Sequence, residues 1–184
     1  MKLLLASAAA LMPVLASAAG LTGSTVDVRY HFENGPQVFH TLDSVVVGAG
    51  TELSCPGAAQ ICQVLSAPTQ ALDLGDSSIR YSYTGPGSSF NSIPVNGFAF
   101  ESLFDAGTVI TGVALSSNGI TGLNLGRVSF SAHSIQVDMA GVGVASPEAF
   151  FQLDIQTAPV PEPASAALLL LGLGALATAV KRRQ

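Results

Sequence analysis

Ser24-Thr25-Val26-Asp27-Val28-Arg29-Tyr30-His31-Phe32 (STVDVRYHF) decides the fold class. Val26, Val28, Tyr30 and Phe32 fall on one side of an extended chain, and Asp27, Arg29 and His31 fall on the other. Side chains in a strand alternate between faces, so this spacing predicts a strand with one buried and one wet face. Asn34-Gly35-Pro36 breaks the run. A second apolar run follows at Val38–Val47.

The same period recurs downstream. Ile79, Tyr81 and Tyr83 alternate, as do Phe98 and Phe100 against Ala99 and Glu101 within Gly97–Phe104. Arg127–Ala132 reads as a strand, and so does Ser134–Ala140, where Ile135, Val137 and Met139 oppose Gln136 and Asp138. Phe151, Leu153 and Ile155 close the series against Gln152 and Asp154. Ile61–Leu65 reads as a short strand, Ala67–Ser78 as a loop, and Thr84–Asn91 as another loop. An internal repeat, ITGVAL at Ile110–Leu115 and ITGLNL at Ile120–Leu125, is joined through Ser116-Ser117-Asn118-Gly119. Asn-Gly between two apolar runs predicts a hairpin. Two copies are too few for a solenoid. About nine short strands without a long helix call for two packed sheets, since each sheet must cover its apolar face. The expected fold is therefore all-β: a two-sheet antiparallel β-sandwich, jelly-roll-like, with a barrel as the alternative.

The two ends of the chain read differently. Met1–Ala18 carries Lys2, an apolar core at Leu3–Leu15 and the small-residue site Ala16-Ser17-Ala18, the layout of a secretory signal peptide. Cleavage is expected after Ala18, or after Ala19 as second choice. Ala164–Val180 is a run of seventeen uncharged residues. As a helix it would span roughly 25 Å, enough for a short transmembrane segment. A core helix would show a polar stripe, and only Ser165 and Thr178 are polar there. Lys181, Arg182 and Arg183 follow it, and cationic flanks stay cytoplasmic, so the chain before Pro161 is expected on the far side of the membrane.

The order of Pro161-Glu162-Pro163, apolar span and terminal basic cluster resembles the PEP-CTERM sorting signal of exopolysaccharide-producing Gram-negative bacteria. The resemblance covers Val160–Arg183. It implies handling by an exosortase, a multi-span membrane enzyme thought to cleave near the motif. It parallels other tail-removal signals that combine a short recognition site with a hydrophobic tail. The chain then divides into a signal peptide (1–18), an exported β-sandwich (19–157) and a sorting segment (158–184), with Ala158–Pro163 as the linker. The Sec export machinery, the exosortase, the membrane and extracellular polysaccharide are the expected partners. The expected route is export, anchorage in the inner membrane through the C-terminal helix, then the cell surface or extracellular matrix.

Composition restricts the function. Residues 19–160 contain three arginines, no lysine and eleven acids, a net charge of −8. Such a domain offers no basic footprint for nucleic acid. Cys55 and Cys62, in CPGAAQIC, are expected to form a disulfide in an oxidising compartment. His31, His40 and His133 lack a G-x-S-x-G elbow for a hydrolase, and His31 and His40 read as solvated strand positions. Asp73 and Asp76 could mark a calcium loop, but the dense acid spacing of an EF-hand is absent, and a solvated loop is the plainer reading. No metal or cofactor is expected, and no carboxylate pair stands out for glycoside hydrolysis. Tyr81, Tyr83, Phe90, Phe98 and Phe100 could stack on sugars, but their alternation assigns most of them to a core, and the chain has no Trp. The expectation is a structural surface or matrix protein without enzymatic activity, associated with exopolysaccharide or biofilm. A carbohydrate-binding module or adhesin is the alternative, and a secreted hydrolase is the third reading.

Overall fold

The computed structural model describes residues 20–65, 69–105, 107–145 and 148–160. The expected signal peptide with its Ala18 and Ala19 site, the motif Pro161-Glu162-Pro163, the apolar span and Lys181-Arg182-Arg183 lie outside the described residues. Among the described residues no helix is long and apolar enough to cross a membrane.

In chain order the strands are β1 (Thr25–Asn34), β2 (Gln37–His40), β3 (Asp43–Val46), β4 (Leu53–Cys55), β5 (Gln70–Gly75), β6 (Ser78–Tyr83) and β7 (Ser88–Ser89). They continue as β8 (Val95–Glu101), β9 (Thr108–Asn118), β10 (Ile120–Thr121), β11 (Val128–Phe130), β12 (Ile135–Asp138), β13 (Gly143–Val144) and β14 (Ala149–Pro159). One sheet runs β11-β12-β8-β1-β2, with β3 also on β1. The second runs β4-β5-β6-β14-β9, and a small third runs β10-β13-β7. All pairings are antiparallel. The jelly roll expected from the sequence needs Greek keys, in which a fourth strand returns beside the first of three. Here β4, β5 and β6 form a plain meander and β14 lies beside β6, the third strand.

The first sheet is organised on β1. Val26, Val28 and Tyr30 are buried, as the alternation requires. One edge of β1 pairs with β8. The other pairs with two strands in succession: β3 along Thr25–Val28 and β2 along His31–Asn34. The apolar run Val38–Val47 is thus two strands, with buried Thr41 between them. The Tyr30 N–H donates to Thr41 Oγ1 at 3.0 Å, and the Thr41 N–H donates to the Tyr30 carbonyl at 3.1 Å. This exchange fills the gap in the ladder, because a buried backbone group without a partner is costly. Phe98 of β8 joins the sheets, with ring centroids 5.5 Å from Tyr81 and 6.1 Å from Phe151 of the second sheet.

Four segment readings from the sequence are corrected, and the Thr84–Asn91 stretch read as loop also holds the two-residue strand β7. Gln70–Gly75, read as loop, is β5, with Gln70, Leu72 and Leu74 buried and Ala71, Asp73 and Gly75 half-buried between them. Ile61–Val64, read as strand, is a single helical turn, α1. The Asp43 carboxylate accepts the N–H groups of Gln60 and Ile61 at 2.7 and 2.8 Å, satisfying donors that a helix start leaves open. Cys62 within the turn is bonded to Cys55, with their Cα atoms 5.2 Å apart. The small loop it closes stabilises by about 2–3 kcal/mol at most. Ala158 and Pro159, read as linker, are the last residues of β14, and the Val160 N–H donates to the Gly107 carbonyl at 2.8 Å.

The fourth correction concerns the repeat. ITGVAL lies inside β9, which pairs with β14 along its whole length. Ile120 and Thr121 of ITGLNL form β10 and pair with β13 instead. The chain does turn at Gly119, with φ +64°, but it leaves the sheet there. An added Cβ at Gly119 would come within 3.2 Å of Ala149, so both conformation and space favour glycine. Beyond it Asn124 caps a turn at Leu125–Arg127, its side chain accepting from the Gly126 N–H at 2.9 Å. The long partner offered by β14 outweighs the local hairpin signal.

Candidate functional site

One recess is a cleft of about 400 Å³. It is built where the inward residues at one end of β1, β2 and β8 face those of β5 and β6. Phe32 and Phe39, cross-strand neighbours on β1 and β2, supply one lip, with ring centroids 5.8 Å apart. Phe39 is 46% exposed. Residues 63–65, at and just after α1, add to the wall, and Ser88 and Val144 of the small sheet close the opposite part. Tyr30, Tyr81, Asn96 and Gln70 lie in the interior, all buried.

Their polar atoms are paired within the cleft. The Tyr81 hydroxyl donates to Gln70 Oε1 at 2.7 Å. The Tyr30 hydroxyl donates to Asn96 Oδ1, and Asn96 Nδ2 donates to the Asn91 carbonyl at 2.8 Å. Burial pushes the phenol of Tyr30 far above its ordinary range, and burial aided by the neighbouring tyrosines does the same at Tyr81. Both therefore stay neutral O–H groups at any physiological pH. Phe90 leans across this floor, its ring centroid 6.5 Å from Tyr30 and 6.3 Å from Tyr81.

A second groove of about 260 Å³ lies on the outer face of the first sheet, over Gly97 and Ala99. A Cβ at Gly97 would sit 2.1 Å from the Val137 carbonyl oxygen, so only glycine allows the close strand approach there. His31 lines this groove and is the cross-strand partner of His40, their Nδ1 atoms 3.0 Å apart. His40 Nε2 lies 3.6 Å from Glu33 Oε1. Partial burial, the neighbouring His40 and the Arg29 guanidinium hold the His31 imidazole below its ordinary range, against weaker opposing pulls from Glu101 and Glu33.

A pH effect follows from that depressed imidazole. The unfolded chain takes up the proton first, so acid favours unfolding. The His31 contribution to stability is complete above the ordinary imidazole value of about 6.5 and is lost as pH falls below it toward the lower folded-state value. The melting temperature should fall between pH 7 and pH 5 (the window around ~6.5), and less steeply in His31→Gln. Equal slopes for the two proteins would remove the assignment.

The residues singled out from sequence fall in several places. Tyr81, Tyr83, Phe98 and Phe100 are buried, while Phe90 is half-buried and lines the cleft. His133 Nδ1 lies 3.2 Å from the Leu103 carbonyl oxygen, and none of the three histidine side-chain contacts joins a serine hydroxyl. Asp73 is not in a loop but on β5, opposite Arg80 in register. The Asp76 carboxylate accepts the Thr22 N–H at 3.2 Å. Among the described residues no three His, Cys, Asp or Glu side chains are grouped to hold a metal ion. The cleft residues Gln70 and Asn96 were missed. Their signal was an amide at an inward position: Gln70 shares parity with Leu72 and Leu74, and Asn96 with Phe98 and Phe100.

Comparison with known proteins bears on the tail. Residues 159–183 match the family model of the PEP-CTERM protein-sorting motif. No curated protein and no solved structure matches the chain. The chain carries a PEP-CTERM sorting motif, and that motif supports sorting by an exosortase, a membrane enzyme, to the cell surface.

Proposed function

We propose that the chain is an exported, non-enzymatic component of the cell surface or extracellular matrix, associated with extracellular polysaccharide. Its two packed sheets form a β-sandwich that is the mature part, and its tail is a temporary membrane hold. The observation that carries this reading is the sorting motif at residues 159–183, directly behind the last strand of the β domain. The acidic, lysine-free composition suits a soluble surface module, because like charge keeps such domains apart. A carbohydrate-binding module is the second reading, favoured by the aromatic and amide lining of the end cleft.

Topology and location test the proposal together. A periplasm-active reporter fused after Thr157 should be active, and the same fusion with a cytoplasm-active reporter silent. In its host the protein should co-fractionate with extracellular polysaccharide and be released when that polymer is digested. A chain with its β domain in the cytoplasm, or one indifferent to the polymer, would refute the reading.

A further inference from the structure

Building on the reading of a polysaccharide-associated domain, we propose that the open end of the sandwich is a binding site for a neutral polysaccharide segment. The argument begins with charge. The domain carries eleven acids and three arginines, yet among the described residues no Asp, Glu, Lys, Arg or His lines the cleft. An anionic polymer would find no counter-charge there and would meet the repulsion of a domain of net charge −8. A cation would find no carboxylate or imidazole ligand.

The lining is instead of two kinds. Phe32, Phe39 and Phe90 present apolar ring surface near the mouth. Behind them stand neutral polar groups: the amides of Asn96 and Gln70, 3% and 4% exposed, and the hydroxyls of Tyr30 and Tyr81. A sugar ring has the matching chemistry, with C–H faces that pack on aromatic rings and hydroxyls that both donate and accept. The inner polar groups are also fixed in direction, since each phenol is tied to one amide and Asn96 to the Asn91 carbonyl. A phenol oxygen that donates one bond still has acceptor capacity for an incoming hydroxyl. The volume of about 400 Å³ lies in the range of small-ligand pockets. The occupant is therefore a chain end or short stretch of neutral sugar, held between the lip of the β1–β2 hairpin and the polar floor.

The test uses the full chain in mild detergent against immobilised neutral gluco-, galacto- and manno-oligosaccharides, with uronate oligosaccharides for comparison. Binding is expected to at least one neutral class and to no uronate. Phe39→Ala should weaken it about tenfold, the effect of losing one central aromatic contact. Ser88→Arg, at an exposed position of the mouth, should abolish it. Phe130→Ala, 47% exposed on β11 and outside the cleft, should leave it unchanged. Preference for uronates, or equal binding by wild type and both cleft variants, overturns the site. If those variants are retained in the host's extracellular polysaccharide as well as wild type, the site falls and the matrix reading stands. A chain that binds no glycan and never reaches the matrix overturns both.

Discussion

Phe98→Ala should cost about 3–5 kcal/mol of stability, the range for emptying a core aromatic site. Phe98 is the point where the two sheets meet. Its ring has five aromatic neighbours: Tyr30 at 5.1 Å, Tyr81 at 5.5 Å, Phe151 at 6.1 Å, and Phe90 and Phe100 at 6.2 Å between centroids. Those neighbours come from both sheets and from the loop ahead of β8. No single movement can collapse the space, so the cavity term adds to the lost burial. For a domain of this size the melting temperature should drop by roughly 10–20 °C. Thermal unfolding of the purified protein checks it, with Phe130→Ala as the surface comparison, expected to change stability by no more than ~0.5 kcal/mol. A drop of less than about 3 °C in Phe98→Ala would mean that the sheets are held together elsewhere.

That core was readable in advance because its strands are half-buried. In Val26–Phe32 and Ile135–Met139 every second residue is apolar, and the period alone assigns the faces. The same logic failed at β5 for a physical reason. Gln70 occupies the first inward position, and Asp73 and Asp76 gave the stretch the look of a solvated loop. Burying a Gln requires a partner for its amide, and the Tyr81 hydroxyl, eleven residues away, donates to its Oε1. No local reading supplies that partner. The Asn118-Gly119 hairpin failed in the opposite way. The local signal was sound, since Gly119 does take a positive φ. What it cannot encode is competition: β14, far along the chain, offers β9 ten paired positions. The α1 turn also depends on distance, because its start is capped by Asp43 rather than by its own neighbours.

The cleft inherits the same division. Phe90, Tyr81 and Tyr83 could be named from composition, but their grouping with Phe32, Phe39 and Asn96 comes from the register of β1 on β2 and β8. The sorting tail is legible for the opposite reason. Its recognition elements are contiguous, so order and spacing along the chain carry the whole signal.

Glu162→Ala should separate an enzyme-read signal from a plain anchor. In a host with an exosortase, the wild-type chain should mature by losing roughly its last twenty residues, as tail-removal signals of this layout do. The variant should persist in the membrane at its longer mass, and deletion of the exosortase should give the same longer form from the wild-type sequence. Two mechanisms compete for these residues. If Ala164–Val180 is a permanent anchor, Glu162 only favours the positive end of the following span. Its loss then costs about 0.3–1 kcal/mol, too little to alter residence in the membrane. If Pro161-Glu162-Pro163 is a recognition site, removing its one charge can remove the substrate outright. Equal melting temperatures for the β domains of wild type and variant would exclude misfolding as the cause. Intact-mass measurement of protein from the native host decides between the mechanisms. A wild-type C-terminus at Gln184, with Glu162→Ala indistinguishable from it, would leave a simple single-span anchor.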